Sequence, residues 1–195
     1  MSGHSSSLTP EYFESMFQGT QDPWNLETSA YEKAKHDHTV RALSGGNYRR
    51  ALEVGCARGM LTSLLAPAVS SLLAIDVSGT ALRAARKRCA SNPHVMFANM
   101  QFPARTPEVA FDLVVLSEVV YYWDDADIKA AAVWLADHLL LGGTIILVHW
   151  LGETDYPQSG DDAVGKLQIA LAERVRIDVT ERCDQYRLDV WRRTP

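Results

Sequence analysis

The chain lacks what a disulfide framework or a zinc site requires. Its 195 residues include three cysteines, Cys56, Cys89 and Cys183, odd in number, widely spaced and without a C-x-x-C. Neither a stapled scaffold nor a cysteine-bound metal is expected from that pattern. His36 and His38 stand two apart, on different faces of any helix, so no metal is assigned. Positive charge is also short. The net charge of -5 disfavours nucleic acid, and the one basic run, Arg83, Arg86, Lys87 and Arg88, reads as a solvated helix face. No apolar run approaches the roughly 18 residues that cross a bilayer. The N-terminal MSGHSSSLTPEYFES has no basic stretch leading into an apolar one, so a cytoplasmic protein with no membrane span is expected. Beyond the Ser-rich first seven residues there is no low-complexity segment, and no internal repeat.

What is present is an ordinary globular composition, 47% hydrophobic and 22% charged, on a length that suits one compact domain with a lid. From about residue 49, short apolar runs alternate with helical patterns. RRALEVG, SLLAIDV, VMFAN, FDLVVLSE and TIILVHW are near-continuous in Val, Ile and Leu, as strands buried on both faces are. Between them, Leu82, Ala85 and Cys89 repeat at helical spacing in 78–91. Ile128, Ala132, Leu135 and Leu139 do so in 125–140, where Gly142-Gly143 is expected to stop the helix. This alternation predicts an α/β, Rossmann-like fold, an open and mostly parallel sheet with helices on both faces. The end departs from it. SGDD (159–162) reads as a helix start, and VRIDVTERC and QYRLDVWRR are joined too tightly for anything but an antiparallel hairpin. Residues 1–48, two helices around QDPWNL, are expected to cap the carboxyl ends of the strands, with 49–195 as the core.

The most telling stretch is ALEVGCARGM (51–60). A dinucleotide fingerprint G-x-G-x-x-G counted from Gly55 fails at Ala57 and at Met60, and the lysine of a P-loop is absent after Gly59. The loop is not built for phosphate. Glu53 precedes it, and a carboxylate there repels pyrophosphate but suits a cation or an ammonium. Asp76 ends the second apolar run, 21 residues after Gly55, the spacing at which an acid accepts from ribose hydroxyls. A ligand with a ribose, a positive charge and no phosphate fits S-adenosylmethionine (SAM). Taken singly, Glu53 also reads as a surface ion-pair residue and Asp76 as a helix N-cap.

With these residues in view the chain resembles the class I SAM-dependent methyltransferases, whose seven-stranded, mostly parallel sheet ends in an antiparallel hairpin. Within them it resembles the nodulation protein S (NodS) family, through DPWNLETSAYE (22–32), LEVGCARGMLT (52–62), FDLVVLSEVVYYWDD (111–125) and LLLGGTIILVHW (139–150). The resemblance implies N-methylation of the free amine of a de-N-acetylated glucosamine unit in a chitooligosaccharide. It implies that Gly55, Ala57 and Gly59 line the methionine half of SAM near Glu53, and that Asp76 binds the ribose. Val77 would pack on the adenine, and Glu118 would lie beside the sulfonium or amino group. An Asp common in relatives at the adenine amino group is replaced here by Gln101, with Asn99 as its rival. Candidates for the transfer chemistry are Tyr121 and Tyr122 after the fourth strand and His149 after the fifth, the last with an ordinary pKa near ~6.5 suited to taking a proton. Each also has a reading as a core side chain. Trp24 and Tyr31 are candidates to lie over the sulfonium. Lys35, Trp150, Asp155, Tyr156 and Asp161 are candidate acceptor contacts, Asp161 alternatively capping the next helix. A small-molecule or oligosaccharide acceptor is the expected partner. A different small-molecule N- or O-acceptor, a non-catalytic SAM-binding module and a nicotinamide-dependent reductase are the competing readings.

Overall fold

A computed structural model describes residues 6–20 and 22–195; the first five residues of the Ser-rich start lie outside it. Among the described residues there are seven strands. The chain divides into two compact units, Thr9–Met100 and Gln101–Pro195, the latter together with the residues up to Leu8.

The unit Thr9–Met100 opens with α1 (Pro10–Gly19) and α2 (Ala30–Ala42), whose N-caps are Thr9 and Ser29; proline stands in the first turn of α1. Asp22 folds the turn between them, accepting from the amides of Leu26 (2.9 Å) and Glu27 (2.8 Å). Then come β1 (Ala51–Val54), α3 (Met60–Leu65), β2 (Leu72–Asp76), α4 (Gly79–Arg88) and β3 (Val95–Asn99). The three strands are parallel, with Leu52 opposite Leu73 and Ile75 opposite Ala98. β1 is buried along its whole length, which is why its residues read as a continuous apolar run apart from Glu53. On α4, Leu82, Ala85 and Cys89 turn inward as their spacing predicts, each at most 3% exposed. Leu82 packs with Cys56, Ala74 and Phe97.

The unit Gln101–Pro195 holds β4 (Phe111–Ser117), α5 (Asp125–His138), β5 (Leu139–Trp150), α6 (Gly160–Leu171), β6 (Val175–Arg182) and β7 (Tyr186–Arg193). β5 runs parallel to β4, and β7 is antiparallel to both β5 and β6, the hairpin expected from the short connection. Gly142-Gly143 does not stop a helix. α5 ends at His138 and β5 begins directly at Leu139. The partner of Phe111 is Leu139 but that of Leu113 is Thr144, so β5 carries extra residues here. Gly142, at φ 74°, supplies the left-handed conformation such a bulge needs. Trp191 on β7 is fully buried, whereas Ile177 on the outer strand β6 is exposed.

No described helix is long and apolar enough to cross a membrane.

Candidate functional site

In the unit Thr9–Met100 the loops after β1 and β2 are built around one carboxylate. Gly55 and Cys56 both donate their amides to the carbonyl of Ile75 (2.8 and 3.0 Å). Gly55, Ala57 and Gly59 all take positive φ (75°, 47° and 78°). For Ala57 that conformation costs about 1–2 kcal/mol, and its amide is recovered by a 2.8 Å bond to Oδ2 of Asp76. Oδ1 of Asp76 accepts the amide of Ser78 at 2.8 Å. One side chain therefore holds both loops. Burial pushes its carboxyl up to about 6, the amides of Ser78, Ala57 and Val77 opposing that rise and the charge of Glu14 adding to it. Asp76 is not the helix cap: Ser78 is, accepting from the amide of Ala81 at 3.0 Å.

Gly59 explains the missing third glycine. A Cβ here would stand 3.0 Å from both Cα and Cβ of Ala85, so close approach of the helices is met at Gly59. Met60 is then simply the first residue of α3. Glu53 is no surface residue; it is 2% exposed. Burial drives its carboxyl up to about 7, with the Thr62 hydroxyl acting the other way and Asp76 adding to the rise. Its Oε2 is buried with no hydrogen-bond partner among the described residues. A buried carboxylate with an open acceptor fits an ammonium, and the two oxygens of Asp76 keep lone pairs for hydroxyl donors. On both counts these residues fit SAM better than a pyrophosphate ligand.

Two acids in this unit were not legible as site residues. Glu14 on α1 accepts from Ser78 Oγ (2.6 Å), Thr80 Oγ1 (2.6 Å) and the Thr80 amide (3.2 Å). The Ser78 and Thr80 hydroxyls hold it down at about 2. Glu27, in the DPWNLE segment, accepts from Arg58 Nε (2.8 Å) in the loop after β1 and from Arg88 Nη2 (2.6 Å) on α4. The N-terminal segment is thus tied to the turn after β1 and to the turn after β2. The partners lie 31 to 66 positions apart in sequence, which no local pattern signals.

The remaining candidates of this unit sit in helical packing. Trp24 meets Phe17 edge-on at 5.4 Å. Lys35 is buried, 2.9 Å from Glu32 Oε1, with its ammonium 5.2 Å over the ring of Tyr31. Asn99 donates to the carbonyls of Val77 (2.8 Å) and Asp76 (3.2 Å), pinning the turn that presents Val77.

In the unit Gln101–Pro195 a second group forms around Glu118. This residue has φ 56°, a conformation rare outside glycine. Its Oε2 accepts the Tyr121 hydroxyl at 2.5 Å and the Trp150 amide at 2.9 Å. The ring of Tyr121 stacks on Tyr156 (5.3 Å) and meets Tyr122 (4.6 Å) and His149 (5.3 Å) edge-on. Tyr122 in turn meets Tyr156 at 4.7 Å. Burial first, then the charges of Glu118 and Tyr122 for Tyr121 and of Tyr156 and Glu118 for Tyr122, raise both phenols well above 10. His149 is fully buried, and its Nε2 accepts the amide of Val120 at 3.2 Å, which occupies a lone pair that a proton acceptor needs. Asp155 is exposed and Gln101 is exposed; neither joins this group. Asp161 does not cap α6, a task taken by Ser159. It is held by Arg182 and Arg187, each at 2.8 Å.

Residues 16–150 match the profile of the Nodulation protein S (NodS) family. The chain is 37% identical over 122 residues to Nodulation protein S of Sinorhizobium fredii, covering 62% of this chain and 55% of that protein. It is 35% identical over 113 residues to that of Bradyrhizobium diazoefficiens, covering 57% and 54%. The chain thus spans about half the length of the curated relatives it matches. Among solved structures, N-methyltransferase NodS from Bradyrhizobium japonicum WM9 in complex with S-adenosyl-L-homocysteine (SAH) superimposes with a TM-score of 0.81 at 24% identity. The match covers 95% of this chain and 98% of that one. A putative methyltransferase from Pseudomonas syringae gives 0.71 at 30% identity, over 85% and 100%. The fold is the Rossmann-like fold of the class I methyltransferases, with the seven-stranded, mostly parallel sheet and the C-terminal hairpin.

Proposed function

We propose that this chain, which belongs to the Nodulation protein S family, binds SAM and transfers its methyl group to the free amine of an amino sugar. The acceptor class we favour is a chitooligosaccharide with a terminal de-N-acetylated glucosamine. One observation carries the cofactor part: the loop Gly55–Gly59 is clipped through Ala57 to Asp76, with Glu53 buried behind it and Oε2 open. The acceptor part rests on the family, one member of which is described as an N-methyltransferase. A cytoplasmic location belongs to the same reading.

When bound, SAM supplies an already activated methyl electrophile. The chain's own work is then to align the acceptor and keep water out, worth up to ~7–11 kcal/mol in favourable cases. Glu53 receives the ammonium and Asp76 the ribose hydroxyls, while Gly55, Ala57 and Gly59 bring bare backbone alongside. Val77, fixed by Asn99, offers an apolar face to the base; Gln101 remains the candidate acceptor for its amino group. Trp24, Tyr31 and Lys35 are candidate closing contacts, and Glu118 is, on the family resemblance, the candidate for the sulfonium or amino group. On the acceptor side we assign Tyr121, Tyr122, Tyr156 and Trp150, with Asp155 and Asp161 as outer sugar contacts. His149, with Nε2 taken by the Val120 amide, holds the turn that carries Tyr121 rather than serving as base.

Calorimetric titration tests the cofactor: SAH should bind and NAD should not, and NAD binding without SAH binding overturns the reading. Mass spectrometry tests the acceptor. De-N-acetylated chitooligosaccharides incubated with SAM should gain a methyl group. Transfer only to other amines keeps the methyltransferase and removes the sugar.

A further inference from the structure

Three contacts fix Trp150, the last residue of β5. Its amide donates to Glu118 Oε2 at 2.9 Å, the oxygen that also takes the Tyr121 hydroxyl. Its carbonyl oxygen lies 2.3 Å from where a Cβ on Gly160 would stand, so only a glycine lets α6 begin this close to the strand. The chain thus leaves β5 at Trp150, runs through the loop 151–159 and returns to the same residue. The third contact holds the indole. A Cβ on Gly152 would meet Nε1 at 2.2 Å, Cε2 at 2.5 Å and Cζ2 at 2.6 Å, far inside van der Waals contact. These atoms adjoin one another along the N–H side of the ring, so a small rotation does not clear all three. With any side chain at 152 the indole must swing to a different rotamer.

We infer that Gly152 is a positioning residue: it seats the Trp150 indole as the platform on which the acceptor's sugar ring stacks, and so favours an amine carried on a pyranose. The inference rests on the amino-sugar reading above. In open α/β sheets ligands bind outside the carboxyl ends of the strands, and Trp150 ends β5 there, half-buried. An indole offers a large, rigid apolar surface with one polar tip. Here the N–H side is turned onto the Gly152 backbone, so the part of the ring left accessible is its apolar surface. A pyranose has a matching C–H face with its hydroxyls around the rim, and the amine projects from that rim. A ring already held in place meets the sugar without the entropy of ordering a side chain on arrival.

The test compares wild type, Gly152→Ala, Trp150→Ala and the double variant, with SAM and a de-N-acetylated chitooligosaccharide. Gly152→Ala should raise the acceptor KM about tenfold, the loss of one aromatic contact. Its kcat should hold, since such a contact is made equally before and during transfer, and its SAH affinity should match wild type. Trp150→Ala should raise the acceptor KM at least as far. In that background Gly152→Ala should add nothing, because no indole is left to displace. Additive losses, or a wild-type KM in Gly152→Ala, overturn the inference. If Gly152→Ala alone unfolds, rescue of folding by Trp150→Ala supports the seating, and unfolding in both backgrounds overturns it. NMR of nitrogen-labelled protein gives a readout without turnover. Of the five tryptophans, the one whose indole N–H peak vanishes in Trp150→Ala should shift in Gly152→Ala; an unmoved peak shows that Gly152 does not seat the ring. Wild type that methylates other amines but not the oligosaccharide brings down the parent acceptor reading instead.

Discussion

Replacing Glu53 by glutamine should make the ligand-free protein more stable at high pH while weakening its hold on the cofactor. Glu53 is 2% exposed, and its carboxyl is raised from 4.5 to about 7, chiefly by burial. The folded state thus binds this proton more tightly than the unfolded chain. Its contribution is intact below about pH 4.5 and is lost as the pH climbs through about 7. At about 1.4 kcal/mol per pH unit the loss comes to about 3 kcal/mol by pH 8, or roughly 6–12 °C in Tm for a chain of this size. Asp76, raised from 3.8 to about 6, loses stability in the same direction but in a lower window, and it remains in the variant. Denaturant unfolding followed by circular dichroism at pH 5, 6, 7 and 8, at one ionic strength, separates the two. The gap between Glu53→Gln and wild type should widen from pH 5 to 7 and level off towards pH 8; parallel curves refute a buried, proton-holding Glu53. Titration with SAH gives the other half. An ammonium facing Glu53 favours its ionised form, so wild-type affinity should rise as pH passes through 7 and that of the variant should not.

Gly59→Ala should cost about 2–5 kcal/mol, combining the left-handed backbone with overpacking of a Cβ against Ala85; a thermal unfolding midpoint equal to wild type contradicts the close approach. Asp76→Ala should weaken SAH binding roughly 100-fold, through the loss of hydrogen bonds from two hydroxyls to a charged group, and calorimetry showing unchanged affinity removes its ribose role. Asp189 is 1% exposed and bonded to Arg187 and Thr180. Asp189→Ala removes two hydrogen bonds from Arg187, which keeps its Asp161 partner, and should lower stability by about 1–3 kcal/mol in denaturant unfolding.

β2 and β4 were legible because burial on both faces writes an unbroken apolar run, as in LLAID and FDLVVLS. VMFAN reads the same way but forms a strand, β3, that is half-buried to exposed along its length. The hairpin was legible because its connection is too short for a crossover. The bulge in β5 was not, since Gly142-Gly143 means the same local freedom at a helix end or inside a strand. At the site, Glu53 and Asp76 stood out by their place at strand ends and their distance from Gly55. Their states did not. Burial and the facing amides decide whether an acid is a cap, a surface pair or a receptor, and those come from other elements. Glu14 and Glu27 escaped notice because their partners are joined only through the fold. Ser78 and Ser159, not Asp76 and Asp161, cap their helices, since the first turn lies two residues further on in one case and two earlier in the other.

The clip between Asp76 and the amides of Ala57 and Ser78 has a kinetic meaning. Both carboxylate oxygens are fixed by amides of the chain itself, and the strained backbone at Ala57 is held in place by the same bond. A ligand meeting Asp76 therefore finds a finished receptor and spends little entropy on ordering these two turns. Its arrival here is set by diffusion and orientation, and differences in affinity among variants of the clip should appear chiefly in how fast the ligand leaves.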